Sequence, residues 1–247
     1  MKIGIFGGGF KPFTTGHFSK LALAMRENDF VVLFYGISGR KKGDSGYNYT
    51  TEIANKIFDI TKSAIEREYP KVRVIKGVPT PIVMTFEAIQ QFAGVLQNPK
   101  FFRWEDLGIN PSSSSGDSLT VYVGEDDAGS FLSYVNDPIK GPAYYGDTYK
   151  DGSLKFETGV RDGSDIALIG AIEEYLPGIS GDEVGTRIRV RGTQVRNAIS
   201  QRDKAEIFRF LPNFYTAAEK DEIANILFSG LNESLLRNAI RSMILVG

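Results

Sequence analysis

The chain has 247 residues, with 29 Lys and Arg against 30 Asp and Glu, one histidine and no cysteine. That length carries a sizeable core in one domain, or in one domain with an appendage, and a net charge of −1 argues against a protein that coats nucleic acid or is drawn to membrane surfaces. The absence of cysteine excludes disulfides and thiolate metal sites, a single histidine argues against a histidine-based zinc site, and no apolar run approaches the roughly 18 residues of a membrane span.

The N-terminus reads as a strand rather than a signal peptide, so the expectation is a soluble, cytoplasmic protein. An apolar run over residues 2–6 predicts the first strand. Gly7, Gly8 and Gly9 follow as a turn, and Leu21, Ala24 and Met25 at helical spacing predict a helix over 17–27. Further strands are expected at 30–35, 72–76 and 119–123, with helices over 49–68 and 82–96. Short apolar strands alternating with helix-length segments predict a Rossmann-like α/β fold, a parallel sheet flanked by helices with right-handed crossovers.

Residues 98–117 contain Pro99, Pro111, four consecutive serines and Gly116, and read as an irregular insertion. A second irregular stretch, 136–164, is longer than an ordinary connection and suggests a lid, a subunit contact or disorder. Arg187-Ile188-Arg189-Val190-Arg191 alternates strictly, as an outer strand with one buried face would. Beyond Gly192 the chain turns helical, with segments near 193–200, 215–228 and 234–244. The expected division is one domain over 1–212, with irregular insertions at about 98–117 and 136–164, and a C-terminal helical appendage over 213–247.

A strand, a Gly-rich turn and a helix start together present backbone N–H groups to a phosphate. Glycines let the backbone approach an anion closely, and the helix aims its positive end at the same place. Ligands on parallel sheets sit beyond the carboxyl ends of the strands, which is where the turn falls. His17, the single histidine, stands at that helix mouth and is the candidate catalytic group. Other phosphate motifs do not fit. A dinucleotide fingerprint begun by Gly7 and Gly9 needs glycine where Pro12 stands, and there is no G-x-x-x-x-G-K-[ST] loop.

Thr14-x-Gly16-His17 resembles the (H/T)xGH signature of the nucleotidyltransferase superfamily, which contains the nucleotide adenylyltransferases and cytidylyltransferases. Gly8-Gly9-Phe10-Lys11-Pro12-Phe13 looks like the Phe-x-Pro-Phe stretch of the archaeal-type nicotinamide mononucleotide adenylyltransferases. Arg191-Gly192-Thr193-Gln194-Val195-Arg196 is similar to the second signature, Ile-Ser-x-Thr-x-x-Arg, with Val190-Arg191 or Arg191-Gly192 in place of Ile-Ser. The resemblance covers roughly residues 1–60, 119–127 and 186–212.

The resemblance implies that a phosphate or hydroxyl attacks the α-phosphorus of a nucleoside triphosphate and that pyrophosphate leaves. Such transfer needs positioning and charge stabilisation more than covalent help from the protein. His17 would donate an N–H to a non-bridging α-phosphate oxygen, and Thr14 could add a hydroxyl. Lys11 would reach the phosphates or the acceptor, in a slot where the family often has Gln or Asp. The nucleotide would lie over Phe6, Gly7, Gly8, Gly9, Phe10 and Gly16. Arg196 and the helix mouth at Gly192, Thr193 and Val195 would hold the β- and γ-phosphates. Gly124 and Asp126, with their acidic neighbours, would read a ribose or assist Mg²⁺; acids favoured at a helix start are the plainer explanation. Arg40 and Lys41, in the basic stretch 38–43, would take an acceptor phosphate or simply be solvated.

Plain structural explanations stand beside the others too: a histidine bonded at a helix start, a tight glycine turn, a threonine N-cap with a solvated arginine. Phe-x-Pro-Phe and Arg209-Phe210-Leu211-Pro212 favour ATP, with a mononucleotide as acceptor. The alternatives are CTP-dependent cytidylyl transfer and a catalytically inactive nucleotide-binding regulator. Nucleic-acid binding is least favoured, although the arginines of 187–191 leave room for it. The family commonly binds Mg²⁺ with the triphosphate and often forms homo-oligomers; no protein-borne metal site is expected.

Overall fold

The first strand, β1 (Lys2–Gly8), sends Ile3 and Ile5 to one side and Phe6 to the other, all buried, as the two-residue period of a strand requires. A computed structural model describes residues 1–41, 48–158, 166–175, 190 and 192–246. Four of the five strands of the main sheet are those expected: β1, β2 (Phe30–Gly36), β5 (Val72–Gly77) and β6 (Ser118–Tyr122). The fifth, β7 (Leu154–Glu157), was not anticipated. The order is β5-β2-β1-β6-β7 and every pairing is parallel. The fold is thus a Rossmann-like α/β sheet, with its switch point between β1 and β6.

Both faces of the sheet are covered, so the central strands read as nearly continuous apolar runs, for example Val31-Val32-Leu33-Phe34-Tyr35. One face, with Phe6, Leu33, Tyr35 and Val74, meets α1 (Thr15–Glu27) and α2 (Thr51–Glu68). A two-stranded hairpin, β3 (Arg40–Lys41) with β4 (Asn48–Tyr49), precedes α2. The other face, with Ile5, Phe34 and Val121, meets α3 (Pro81–Phe92) and α4 (Glu125–Leu132).

Threonines start the first three helices, and they displace the expected boundaries. Thr14 is the N-cap of α1, Thr50 accepts the Ile53 N–H at the head of α2, and Thr80 accepts the Val83 N–H ahead of Pro81 in α3.

The stretch 98–117, which holds two short 3₁₀ helices, is firmly attached. The Glu87 carboxylate accepts the N–H groups of Lys100, Phe101 and Phe102 at 2.8–3.0 Å, and Trp104 is buried with its indole N–H on the Ala88 carbonyl. The described part of the second irregular region, 136–158, is neither open lid nor disorder: it forms α5 (Lys140–Tyr145), α6 (Thr148–Asp151) and β7.

A further helix, α7 (Ile166–Tyr175), packs along α1. The expected strand at 187–191 lies outside the described residues, apart from Val190. Three helices complete the chain: α8 (Gly192–Ser200), α9 (Lys204–Phe210) and α10 (Ala217–Val246). The two terminal segments expected at 215–228 and 234–244 are one helix, which runs through Ser229 and Gly230. Burial of Leu227 and Leu231 on either side outweighs the roughly 1 kcal/mol that an interior glycine costs. Among the described residues no helix is long and apolar enough to cross a membrane.

Candidate functional site

The carboxyl end of β1 leads directly to the His17 imidazole. Gly7 and Gly8 belong to the strand, paired with Phe34 and Tyr35, so the turn proper starts at Gly9. Each glycine has a different reason to be small. A Cβ on Gly7 would meet Thr85 Oγ1 at 3.2 Å and Pro81 at 3.3 Å, so Gly7 lets the head of α3 close on the strand. A Cβ on Gly8 would lie 2.6 Å from the Phe10 ring. Above Gly9 nothing stands within 4 Å. Of the three, Gly9 is the one with open space on its Cβ side.

Phe10 folds back over the strand end, with its ring 5.3 Å from Phe6 and 5.1 Å from Tyr35. His17 stands edge-on to Phe10 at 4.9 Å and beside Phe13 at 5.7 Å. Both phenylalanines are buried while His17 is half-buried. The imidazole is therefore flanked by two buried rings and is itself partly exposed.

His17 is the third residue of α1, where a capping box usually has Glu or Gln. Its Nδ1 accepts the Thr14 backbone N–H at 3.0 Å, with the Thr14 hydroxyl 2.9 Å from the same nitrogen. A backbone N–H only donates, so Nδ1 is the unprotonated nitrogen and the neutral ring carries its proton on Nε2. The plain reading, a histidine bonded at the helix start, thus describes the Nδ1 edge of the ring. Thr14, 3 % exposed, turns its hydroxyl to His17. Gly16 is buried in the same first turn.

Lys11 holds its ammonium 5.6 Å from the Tyr49 ring centre. Tyr49 is in register with Arg40 across the β3–β4 hairpin, so Lys11 and that hairpin come together; the side chains of Arg40 and Lys41 lie outside the described residues. Beneath them, burial pushes the Tyr35 phenol well above its ordinary value, and the Thr61 hydroxyl bridges the Ile57 carbonyl and the Tyr215 hydroxyl.

Gly124 is the N-cap of α4, at the end of β6, with open space around it. The acids that follow occupy the first turn of a helix, as dipole considerations anticipated; the Asp126 side chain lies outside the described residues. Among the described residues no three His, Asp or Glu side chains gather as a metal cage.

The second motif opens α8. Arg196 folds back across the first turn and donates from Nη2 to Thr193 Oγ1 at 3.1 Å, with Nη1 3.3 Å from where a Gly192 Cβ would stand. Gly192 and Thr193 are exposed, and Val195 is buried as the anchor of the turn. What ties this region to the first motif is the segment that follows it. The Thr15 hydroxyl donates to the Phe210 carbonyl at 3.2 Å, and Phe214 packs on Phe13 and Phe18 at 6.3 and 5.4 Å.

Sequence reasoning passed over Phe13 as a wall of the imidazole, and over Lys20, 1 % exposed on α1 with its ammonium 3.9 Å from Glu157. Lys20 sits where helical spacing asks for an apolar residue, and that mismatch was the available signal.

No protein-family model matches the chain, and no curated protein matches its sequence. Two of the solved structures similar to the chain are a NadR protein and a TmcAL protein. A NadR protein in complex with NR is 18 % identical, covers 83 % of this chain and 52 % of its own, and superposes with a TM-score of 0.35. TmcAL of Thermotoga maritima, bound with alpha-thio ATP, is 13 % identical, covers 94 % of this chain and 56 % of its own, with a TM-score of 0.36. The chain thus spans about half the length of each of these proteins.

Proposed function

We propose that the chain is a nucleotidyltransferase that moves the nucleotidyl group of a nucleoside triphosphate, ATP in the first instance, to a small phosphorylated acceptor. The observation that carries this reading is the Thr14 N–H on Nδ1 of His17, which assigns the neutral ring's own N–H to Nε2 at the head of α1. An acceptor phosphate oxygen forms a bond to the α-phosphorus while the bond to the bridging oxygen of the β-phosphate breaks, and pyrophosphate leaves. His17 donates to the non-bridging α-oxygen as charge builds there. The open backbone at Gly9 and the first turn of α1 receive the phosphates, and Arg196 with Thr193 meets the departing pyrophosphate. Mg²⁺ enters as part of the triphosphate complex, as substrate.

The test is Mg²⁺-dependent pyrophosphate release from each of the four common nucleoside triphosphates. The acceptor panel is led by nicotinamide and nicotinate mononucleotides, followed by pantetheine phosphate and sugar or polyol phosphates. ATP with a mononucleotide is expected to turn over, and CTP with a polyol phosphate would make the chain a cytidylyltransferase instead. His17→Ala is expected to keep the fold and lose about 10²–10³ in rate, the usual effect of removing one preorganised donor; a rate within a few-fold of wild type would refute the role. Arg196→Ala is expected to weaken triphosphate binding with little change in unfolding midpoint, and an unchanged KM would contradict its assignment.

A further inference from the structure

Between Gly7 and Gly16 the turn carries one charged side chain, Lys11. An ammonium on a flexible stem loses much freedom when it is held still. Here it stands 5.6 Å from the centre of the Tyr49 ring, within the roughly 6 Å over which an aromatic face attracts a cation. Lys11 is half-buried and Tyr49 is 3 % exposed, so the ring is the fixed partner and the lysine the movable one.

The place of the ring follows from the chain around it. Tyr49 ends β4 and directly precedes Thr50, the N-cap of α2. Gly39 closes the hairpin onto that helix head. Its N–H donates to the Thr51 hydroxyl at 3.3 Å, and a Cβ there would stand 3.0 Å from the Thr51 nitrogen and 3.1 Å from the Tyr49 carbonyl oxygen. The long helix α10 packs against β4 as well. Tyr49 is thus fixed by β4, α2 and α10, elements outside the turn that carries Lys11.

We propose that Tyr49 is a positioning residue whose ring, by cation–π attraction, holds the Lys11 ammonium ready for the phosphates of the bound triphosphate. A carboxylate in that place would neutralise the charge that a phosphate needs, whereas a ring orients the cation and carries no net charge of its own. A lysine already held leaves less ordering for the ligand to impose. The identity of the ligand rests on the nucleotidyl-transfer reading; the contact rests on the Lys11–Tyr49 geometry alone.

The experiment compares Tyr49→Phe, its 3,5-difluoro and 3,4,5-trifluoro forms, and Tyr49→Leu in the full chain, because fluorine withdraws charge from the ring face with little change of shape. Two quantities are read: the NMR shift of the Lys11 ε-methylene protons, and the Kd of Mg²⁺–ATP. The ring current is expected to move the ε-methylene protons upfield in wild type and Tyr49→Phe, and the shift should vanish in Tyr49→Leu. Along the fluorinated series the Kd is expected to rise by about two- to fivefold in all, with the unfolding midpoint unchanged, and to stay flat when the series is repeated with Lys11→Ala. An ε-methylene resonance that is unshifted in wild type, a fluorinated series without effect, or an equal rise with Lys11→Ala would overturn the proposal. A ring-current shift in a chain that binds no Mg²⁺–ATP would instead refute the nucleotidyl-transfer reading, and with it the ligand assigned to the contact.

Discussion

At the scale of single residues, the site depends on how two short side-chain-free positions are used. Gly8 makes room for the Phe10 ring and Gly9 leaves space empty, although the sequence offers them as equals. Gly8→Ala is expected to displace Phe10, loosen the clamp on His17 and cost about 1–3 kcal/mol as an overpacked core does. Gly9→Ala is expected to change stability by less than about 0.5 kcal/mol yet weaken triphosphate binding, because its methyl group enters the open space. Denaturant unfolding and nucleotide titration of the two variants check this, and the account fails if both behave alike. The sequence shows that glycines cluster here and that a histidine follows them. Which glycine serves packing and which faces open space depends on Pro81, Thr85 and Phe10, whose approach is set by tertiary contacts.

At the scale of elements, the long helix α10 is fastened to α2 by one arginine. Arg67 donates from Nη1 and Nη2 to the two Glu219 oxygens at 2.7 and 3.2 Å, and from Nη2 to the Phe214 carbonyl at 3.1 Å. Glu219 also accepts the Thr216 N–H at 2.7 Å at the helix start. Hydrogen bonding from Arg67 holds the Glu219 carboxyl below its ordinary value. The folded chain therefore releases this proton more readily than the unfolded chain. The resulting stability is complete above the unfolded carboxyl's pKa and is lost as pH falls through the lower folded one. With Arg67 41 % exposed, Arg67→Ala is expected to cost only about 1 kcal/mol at neutral pH, and the cost should shrink in acid. Equal unfolding midpoints for wild type and variant at pH 7 would contradict it.

Element type was legible wherever periodicity was long, as in α2, and wherever the strand was wholly apolar, as in β2. It was not legible for β7, whose four residues Leu154-Lys155-Phe156-Glu157 lie among Gly, Asp and Tyr and become a strand only by pairing with β6. Nor was it legible at Ser229-Gly230, where local propensity signals a stop that burial overrides.

At the scale of the whole molecule, glycines at the ends of three adjacent strands bring the sheet edge and α3 together. A Cβ on Gly7, Gly36 or Gly77 would meet Pro81 at 3.3, 3.1 or 2.7 Å. That close docking places the heads of α1 and α3 at one edge of the sheet, beside the switch point where β6 passes to α4. The chain returns from the second motif through α9 to bond Thr15 at the head of α1. The parallel sheet could be anticipated because alternating strands and helices admit few topologies.

The central claim is that His17 presents Nε2–H to a nucleotide phosphate, and the presence of one histidine in the chain makes it directly observable. Uniform ¹⁵N labelling yields a single imidazole in long-range ¹H–¹⁵N spectra. The account predicts an unprotonated Nδ1 and a proton on Nε2 in the neutral ring, and a shift of the Nε2 resonance when a Mg²⁺–triphosphate complex binds. A proton on Nδ1, or an Nε2 resonance unmoved at saturating triphosphate, would contradict it.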